Sequence, residues 1–404
     1  MSQLASLNYA YWLLMRKKWP MPNLLICDEA HQLSEIVLDH AGVEITPYTK
    51  EQWDLPSFPI IFGGRRSVSV NGSVRNGSEE RAIKWLSDCA SHLRPIHATL
   101  QFEAQHDSDS RKRSTRCERL LKKIETTINA IRNEPDDWFI RSGPKAINGE
   151  FGFIARPLTA RHHFGEYFLG EWRTLLMSAT IGNMESFAKE LGISDYNSHI
   201  VPPIFPKERQ PVYALDVPRI GHKSTESDKQ KQASEIARMI KRCNPSWPGI
   251  IHTNSYSHAR DIAYRLSRVG LQDRVWMPTS KGTENQVREW QMRRRKVKGS
   301  ILLSPTFHEG YDGTEERINI CAKIPYPFLG SEYEKERQRY DGKWFLWRAA
   351  SGAQQQMGRV RRGREEDYDT KDEMRTMNAF ADGSWNYVKK YFSPYFAECI
   401  VKGE

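Results

Sequence analysis

Two adjacent carboxylates, Asp28 and Glu29, stand at the end of the apolar run Leu24-Leu25-Ile26-Cys27 and are followed by Ala30 and His31. An apolar run of this length behind Pro20 and Pro22 reads as a buried parallel strand, and in an open α/β sheet ligands sit at the C-terminal ends of the strands. An Asp at that point has the hard oxygen donors that hold Mg2+, and the next Glu can polarise a water for attack on a terminal phosphate. The same residues also fit the polar start of a helix, where acids meet the positive end of the macrodipole. A short motif occurs by chance often enough that its context must decide.

The elements that must position these groups follow in order. Trp172 to Met177 reads as a strand ending in Ser178-Ala179-Thr180, whose hydroxyls can link a nucleotide site to an interdomain cleft or cap a helix. Gly249 to His252 reads as a strand leading into Thr253-Asn254-Ser255, a strand-to-helix junction suited to a phosphate. Ile301 to Ser304 leads into Thr306 and then Glu309-Gly310-Tyr311-Asp312, in which Gly310 permits close backbone approach. Ile318 to Ile324 closes on Pro325-Tyr326-Pro327, and a helix from Trp344 to Arg359 presents Gln355 and Arg359, with Arg362 after it. The two arginines, three residues apart, share one helix face or its end, and arginine supplies a rigid charged fork for phosphate oxygens. Arg361 and Arg364 read as solvated.

The blocks Asn23 to His31, Leu175 to Thr180, Glu309 to Asp312 and Gln355 to Arg362 resemble, in this order, motifs II, III, V and VI of superfamily 2 helicases. The acidic Glu-Gly-x-Asp block followed by a strand and a Pro-x-Pro turn resembles the XPD/DinG-like branch. The resemblance covers about Leu4 to Ile400 apart from a divergent middle. It implies an α/β fold of two RecA-like parallel-sheet domains, the first incomplete. Residues 1–40 and 165–200 would be the partial first domain, 41–164 a mostly helical arch-like insertion, and 201–404 the second domain with motifs IV, V and VI. It further implies ATP and Mg2+ as cofactors, with Asp28 on the metal. Asp28, Glu29, Gln355, Arg359 and Arg362 are then catalytic, and His31, Glu309, Gly310 and Asp312 bind the nucleotide. Ser178, Thr180, Asn254, Ser255 and Thr306 couple it to nucleic acid. The implied activity is that of an ATP-dependent DNA helicase, 5′ to 3′, on single-stranded or forked DNA.

The chain departs from that pattern where phosphate binding should begin. No Gly-x-x-x-x-Gly-Lys-Ser/Thr loop occurs in it, and the scattered cysteines do not form the quartet that holds an iron–sulfur cluster in many relatives, so no cluster is expected. Self-sufficient ATP hydrolysis is therefore not expected. The chain reads as a fragment or split subunit needing a separate polypeptide with the Walker A half, or as a non-catalytic, nucleic-acid-binding or regulatory remnant. Retention of Gln355, Arg359 and Arg362 together with Asp28 and Glu29 favours the split enzyme.

Length and composition bound these readings. The 404 residues suffice for two or three domains with cores of their own, and 39% hydrophobic against 27% charged residues describes a globular chain. Neither a membrane span nor a secretory leader is legible, so a cytoplasmic or nucleoid-associated setting is expected. A net charge of +10 favours polyanionic partners. Six cysteines lie far apart with no Cys-x-x-Cys pair, which signals neither zinc nor a disulfide framework. Within 41–164, one helix through Ile83, Leu86, Ala90 and Leu93 is expected to break at Pro95, and another runs through Leu120, Ile124, Ile128 and Ile131. Asp107 to Ser114 reads as a charged connection between them. His92, His97, His106, His162 and His163 have no metal-like partners at helical spacing and read as structural. Arg293 to Lys296 with Lys298 reads as a solvated helix end.

Overall fold

The computed structural model describes residues 5–61, 68–69, 72–73, 77–147, 150–201, 207–280, 282–307, 311, 315–360 and 376–402, without the side chains of 68, 69, 72, 73, 145, 209 and 359. The chain forms two compact units. The first comprises Met1–Leu176, Ala188–Ser194 and Phe328–Asp341, and the second Met177–Phe187, Asp195–Pro327 and Gly342–Glu404. Residues 177–187 thus fall in the second unit and 328–341 in the first, unlike the boundaries read from the sequence. Among the described residues no helix is long and apolar enough to cross a membrane.

In chain order the strands of the first unit are β1 (Leu24–Cys27), β2 (Val43–Ile45), β3 (Val68–Ser69), β4 (Gly72–Ser73), β5 (Trp138–Ile147), β6 (Glu150–Pro157) and β7 (Arg173–Leu176). β1 pairs in parallel with β7, Leu24 opposite Arg173 and Cys27 opposite Leu176. The parallel strand is as expected, but its burial is not. Among the described residues β1 has only β7 beside it, so Leu24 and Ile26 stay 51% and 54% exposed, while Cys27 on the other face is buried.

The insertion also differs from the expected mostly helical body. Two long helices, Ser78–Glu103 and Ser108–Asn133, pack on a three-stranded antiparallel sheet ordered β2-β6-β5. Trp138, Ile140, Phe153 and Ala155 face the helices, while Phe139, Ile154 and Leu158 pack with Tyr333 on the other face. A sheet covered on both faces lacks the alternation that marks a half-buried strand. The remaining signal was the dipeptide Asn148-Gly149 between two β-rich runs. Pro95 lies inside the first helix instead of ending it. It removes one backbone donor at a cost of about 3 kcal/mol, outweighed by the apolar seam of Leu86, Ala90 and Leu93 with Cys117, Ile124 and Ile128. The connection is also shorter than expected: Asp107 is the N-cap of the second helix, accepting the Ser110 amide at 2.7 Å, so Ser108 to Ser114 is already helical.

The helix Glu332–Tyr340 is fastened into the first unit by buried polar contacts. Arg337, 1% exposed, donates to Glu35 Oε1 at 2.8 Å and Glu190 Oε1 at 3.0 Å, and Ser34 Oγ donates to the same Glu190 oxygen at 2.5 Å. Tyr333 donates to Pro157 O at 2.8 Å and Tyr340 to Asp137 Oδ1 at 2.5 Å. Burial drives the Glu190 carboxyl upward, opposed by the Arg337 charge and the Ser34 hydroxyl. Removing the guanidinium leaves a buried carboxylate uncompensated, so Arg337→Met is expected to cost about 3–5 kcal/mol of stability near neutral pH. Glu190 titrates above its unfolded value, and further above it once Arg337 is gone. The penalty should therefore shrink as pH falls through that raised value and Glu190 takes up a proton. Urea denaturation of both proteins across pH measures this, and a pH-independent penalty would contradict it.

The second unit carries β8 (Val212–Ala214), β9 (Gly249–His252), β10 (Val275–Trp276), β11 (Ile301–Ser304), β12 (Ile318–Cys321), β13 (Met377–Phe380) and β14 (Ile400–Lys402). They form one sheet ordered β10-β11-β9-β12-β13-β8-β14 with every pairing parallel, bearing out the α/β reading. β9, β11 and β12 are buried throughout, which is why they read as largely apolar runs, with His252, Ser304 and Asn319 as their buried polar residues. Ile251, Leu303 and Ile320 face one core with Ile236, Ile240 and Ile262, and Ile250 and Leu302 face another with Trp290, Phe307 and Tyr311.

Candidate functional site

In the first unit, β1 delivers Asp28 to an exposed position at its C-terminal end. Asp28 Oδ1 accepts the Glu29 amide at 2.8 Å, and its main-chain oxygen accepts the Tyr9 hydroxyl. Tyr9 carries no signal of this role in the sequence. Its phenol is pushed up first by burial and then by Cys27, Asp28 and Glu29, so it stays a donor. Burial also lifts the Cys27 thiol to about 12, which keeps it from nucleophilic or ligand chemistry.

Glu29 occupies the left-handed region, φ 50° and ψ 40°. Ala30–Gln32 form one 3-10 turn before the helix Leu33–Ala41, whose first-turn acid is Glu35. Asp28 and Glu29 therefore do not serve as the first-turn acids of that helix. The left-handed turn sets Glu29 Oε2 at 3.3 Å from Nδ1 of the buried His31. A non-glycine residue here stores about 1–2 kcal/mol. Glu29→Gly is expected to raise stability by up to about 1 kcal/mol, while Glu29→Ala, which keeps the backbone cost, should not. Urea denaturation of the three proteins decides, and equal effects of Gly and Ala would refute the strain.

In the second unit, Ser178 and Thr180 form a compact turn, Thr180 N donating to Ser178 Oγ at 3.2 Å. Ser304 and Thr306 repeat it after β11, Thr306 N donating to Ser304 Oγ at 3.1 Å. The helix cap expected of Ser178 or Thr180 comes instead from Asn183, whose Oδ1 accepts the Ser186 amide at 2.8 Å. The Ser-Ala-Thr block is tied to the helix Gly342–Met357, because Ser351 Oγ donates to Thr180 O at 2.6 Å and Trp347 Nε1 to Ile181 O at 2.8 Å. Gly182, φ +72°, leaves no room for a side chain: a Cβ would lie 2.8 Å from Tyr391 O.

That helix carries Gln355, which is half-buried, and ends in the 3-10 turn Gly358–Val360 that contains the Arg359 backbone. Asn319 Nδ2 of β12 donates to Gln356 O at 3.0 Å and Met357 O at 3.2 Å, occupying carbonyls that a helix end leaves open. The Arg359 side chain, Arg362, Glu309, Gly310 and Asp312 lie outside the described residues. At the end of β9, Asn254 Nδ2 donates to Ile324 O at 3.0 Å, and Ser255 Oγ caps the helix Tyr256–Leu266 by accepting His258 N at 3.1 Å. Thr306 Oγ1 donates to Gln286 Oε1 at 2.9 Å.

Two expectations about surface groups are corrected by tertiary partners. Arg294 is not a solvated helix-end charge: it donates to buried Glu316 and to Glu315, both at 2.9 Å, while Trp290 Nε1 donates to the same Glu316 oxygen at 2.7 Å. Burial, and then Glu316, push the Tyr311 hydroxyl up beside it. His162 does have carboxylates around it: Asp137 Oδ2 is 2.9 Å from Nε2 and Glu134 Oε1 is 3.7 Å from Nδ1, a grouping able to hold a cation. Helical spacing could not reveal it, because Glu134 and Asp137 follow one helix and His162 follows β6.

Comparison with known proteins bears on the fold. Residues 244–369 match the family model described as the helicase C-terminal domain. A solved structure titled XPD helicase matches at 14% identity with a TM-score of 0.52, covering 98% of this chain and 72% of that one. A second, titled XPD apo, matches at 13% identity with a TM-score of 0.47 over 95% of this chain and 79% of that one. No curated protein matches the chain. The chain shares the fold of the first of these structures, and the helicase C-terminal match falls in the second unit except for residues 328–341, which belong to the first.

Proposed function

We propose that this chain is the strand-engaging, nucleotide-sensing portion of an ATP-dependent DNA helicase that acts on single-stranded or forked DNA with 5′ to 3′ polarity. The observation that carries the reading is the helicase C-terminal match over residues 244–369. Support comes from Asp28 and Glu29 at the end of a parallel strand and from the two Ser-x-Thr turns at strand ends of the same kind.

The residues present fit ATP·Mg. Asp28 is an exposed hard oxygen ligand whose Oδ1 already takes an amide hydrogen, and it is the metal ligand in this reading. Mg2+ bound there supplies charge neutralisation to the phosphates. Glu29, turned toward His31, orients the attacking water and accepts its proton, and Gln355, Arg359 and Arg362 answer the phosphate charge. His31 and the Glu309, Gly310 and Asp312 segment complete the nucleotide contacts. Ser178, Thr180, Asn254, Ser255 and Thr306 pass its state to the strand.

The sequence contains no loop whose amides and lysine grip the β- and γ-phosphates, so in this reading a phosphate-loop segment outside these 404 residues supplies it. The experiment is strand-stimulated ATP hydrolysis, measured with the chain alone and after adding a phosphate-loop polypeptide from the same source. The chain alone is expected to bind single strands with steep salt dependence and to hydrolyse no ATP, with turnover restored by the partner and lost again in Glu29→Gln. Robust turnover by the chain alone, abolished by Glu29→Gln, would overturn the split-enzyme reading. Strand binding that no partner converts into turnover would favour a non-catalytic remnant.

A further inference from the structure

His162 lies just beyond β6, and a carboxylate faces each of its ring nitrogens. Asp137 Oδ2 is 2.9 Å from Nε2, and Glu134 Oε1 is 3.7 Å from Nδ1. A neutral imidazole carries one N–H and one lone pair, so one of the two carboxylates meets a lone pair instead of a donor. Two electron-rich groups face each other favourably only when they share a positive charge. Either a second ring proton or a metal cation supplies it.

The fold brings these side chains together from separate stretches and fixes their backbones. Glu134 follows the last residue of the helix Ser108–Asn133 and donates its amide to Ala130 O at 3.0 Å. Asp137 N donates to Glu134 O at 3.2 Å, and Asp137 O accepts the amide of Leu158, the residue after β6, at 2.7 Å. The Tyr340 hydroxyl, from the helix Glu332–Tyr340, donates to Asp137 Oδ1 and leaves Oδ2 directed at the ring. A polar group outside the donor set that orients a ligand carboxylate is a regular support of metal sites.

One donor atom from each of Glu134, Asp137 and His162 lies within 4.8 Å of the others. Donors sharing a tetrahedral Zn2+ stand roughly 3.4 Å apart. The Asp137–His162 pair is therefore near a ligand edge already, and Glu134, with its side chain 47% exposed, closes by rotating about its own bonds. The His162 side chain is 34% exposed, which leaves room for water in the remaining position. One imidazole with two carboxylates suits Zn2+ better than Mg2+ or Ca2+, which take oxygen donors.

We propose that Glu134, Asp137 and His162 bind a divalent cation of the zinc class, which clips the end of the helix Ser108–Asn133 to the turn after β6. The site needs neither nucleotide nor nucleic acid, so it stands independently of the helicase reading.

The test titrates Zn2+ into the full chain, first stripped of metal with a chelator, against a chromophoric competitor. Co2+ is then used as a probe whose visible bands report coordination. The wild type is expected to bind one equivalent with micromolar affinity, to melt at a higher temperature with Zn2+ than in chelator, and to give Co2+ bands of tetrahedral intensity. Glu134→Gln, which keeps the shape and removes the charge, should weaken Zn2+ binding about tenfold or more. His162→Asn should abolish the Co2+ bands. Circular dichroism melts in chelator check folding, and Glu134→Gln, at a half-exposed position, decides alone should His162→Asn unfold. A simple ion pair gives no saturable Zn2+ binding by the wild type, and zinc held elsewhere on the chain gives equal affinity in the wild type and Glu134→Gln. Either result overturns the assignment.

Discussion

A parallel sheet has no hairpins, so every strand end runs into a loop whose backbone donors and acceptors have lost their ladder partners while still buried. In the second unit single polar side chains meet that demand. Asp382, fully buried after β13, accepts the amides of Ile220, Ile324 and Ser384 at 3.0, 2.9 and 2.9 Å. Gln232 reaches from the helix Glu226–Arg242 to Ala322 O and Ala381 O at 2.5 and 2.7 Å, and Asn319 holds the carbonyls that end the helix Gly342–Met357. An unmet buried backbone group costs about 1–3 kcal/mol, so these contacts fix the loop geometry around the strands.

Side chains around the two Ser-x-Thr turns are held in the same way. Ser351 and Trp347 fasten the block after β7 to the helix that carries Gln355, and Gln286 fastens Thr306. Hydroxyls and amides at these strand ends have directions, because each is bonded on one side to a group that can only donate or only accept. Orientation fixed before a ligand arrives removes the entropy cost of finding it.

The first unit satisfies its polar groups differently. Arg337 stands between two carboxylates in the interior, and the Tyr333 and Tyr340 hydroxyls reach a backbone carbonyl and Asp137. Such buried charge pairs add little net stability but are costly to break. They explain why residues 328–341, which lie in sequence between elements of the second unit, pack within the first.

The sequence by itself determined the parallel strands, since β9, β11 and β12 are buried on both faces and are therefore written mostly in apolar residues. It also determined the order of the chemical blocks and the place of Asp28 at a strand end, because those depend on residue type and local spacing. Tertiary structure decided the rest. The antiparallel sheet of the insertion was hidden by cover on both faces, and Pro95 was carried through its helix by a seam formed with residues twenty or more positions away. Arg294 became the partner of the buried Glu316, and His162 gained Glu134 and Asp137. Tyr9, Gln286 and Asp382 carry no motif at all. Each of these depends on which groups lie close in space, and local periodicity holds no record of that.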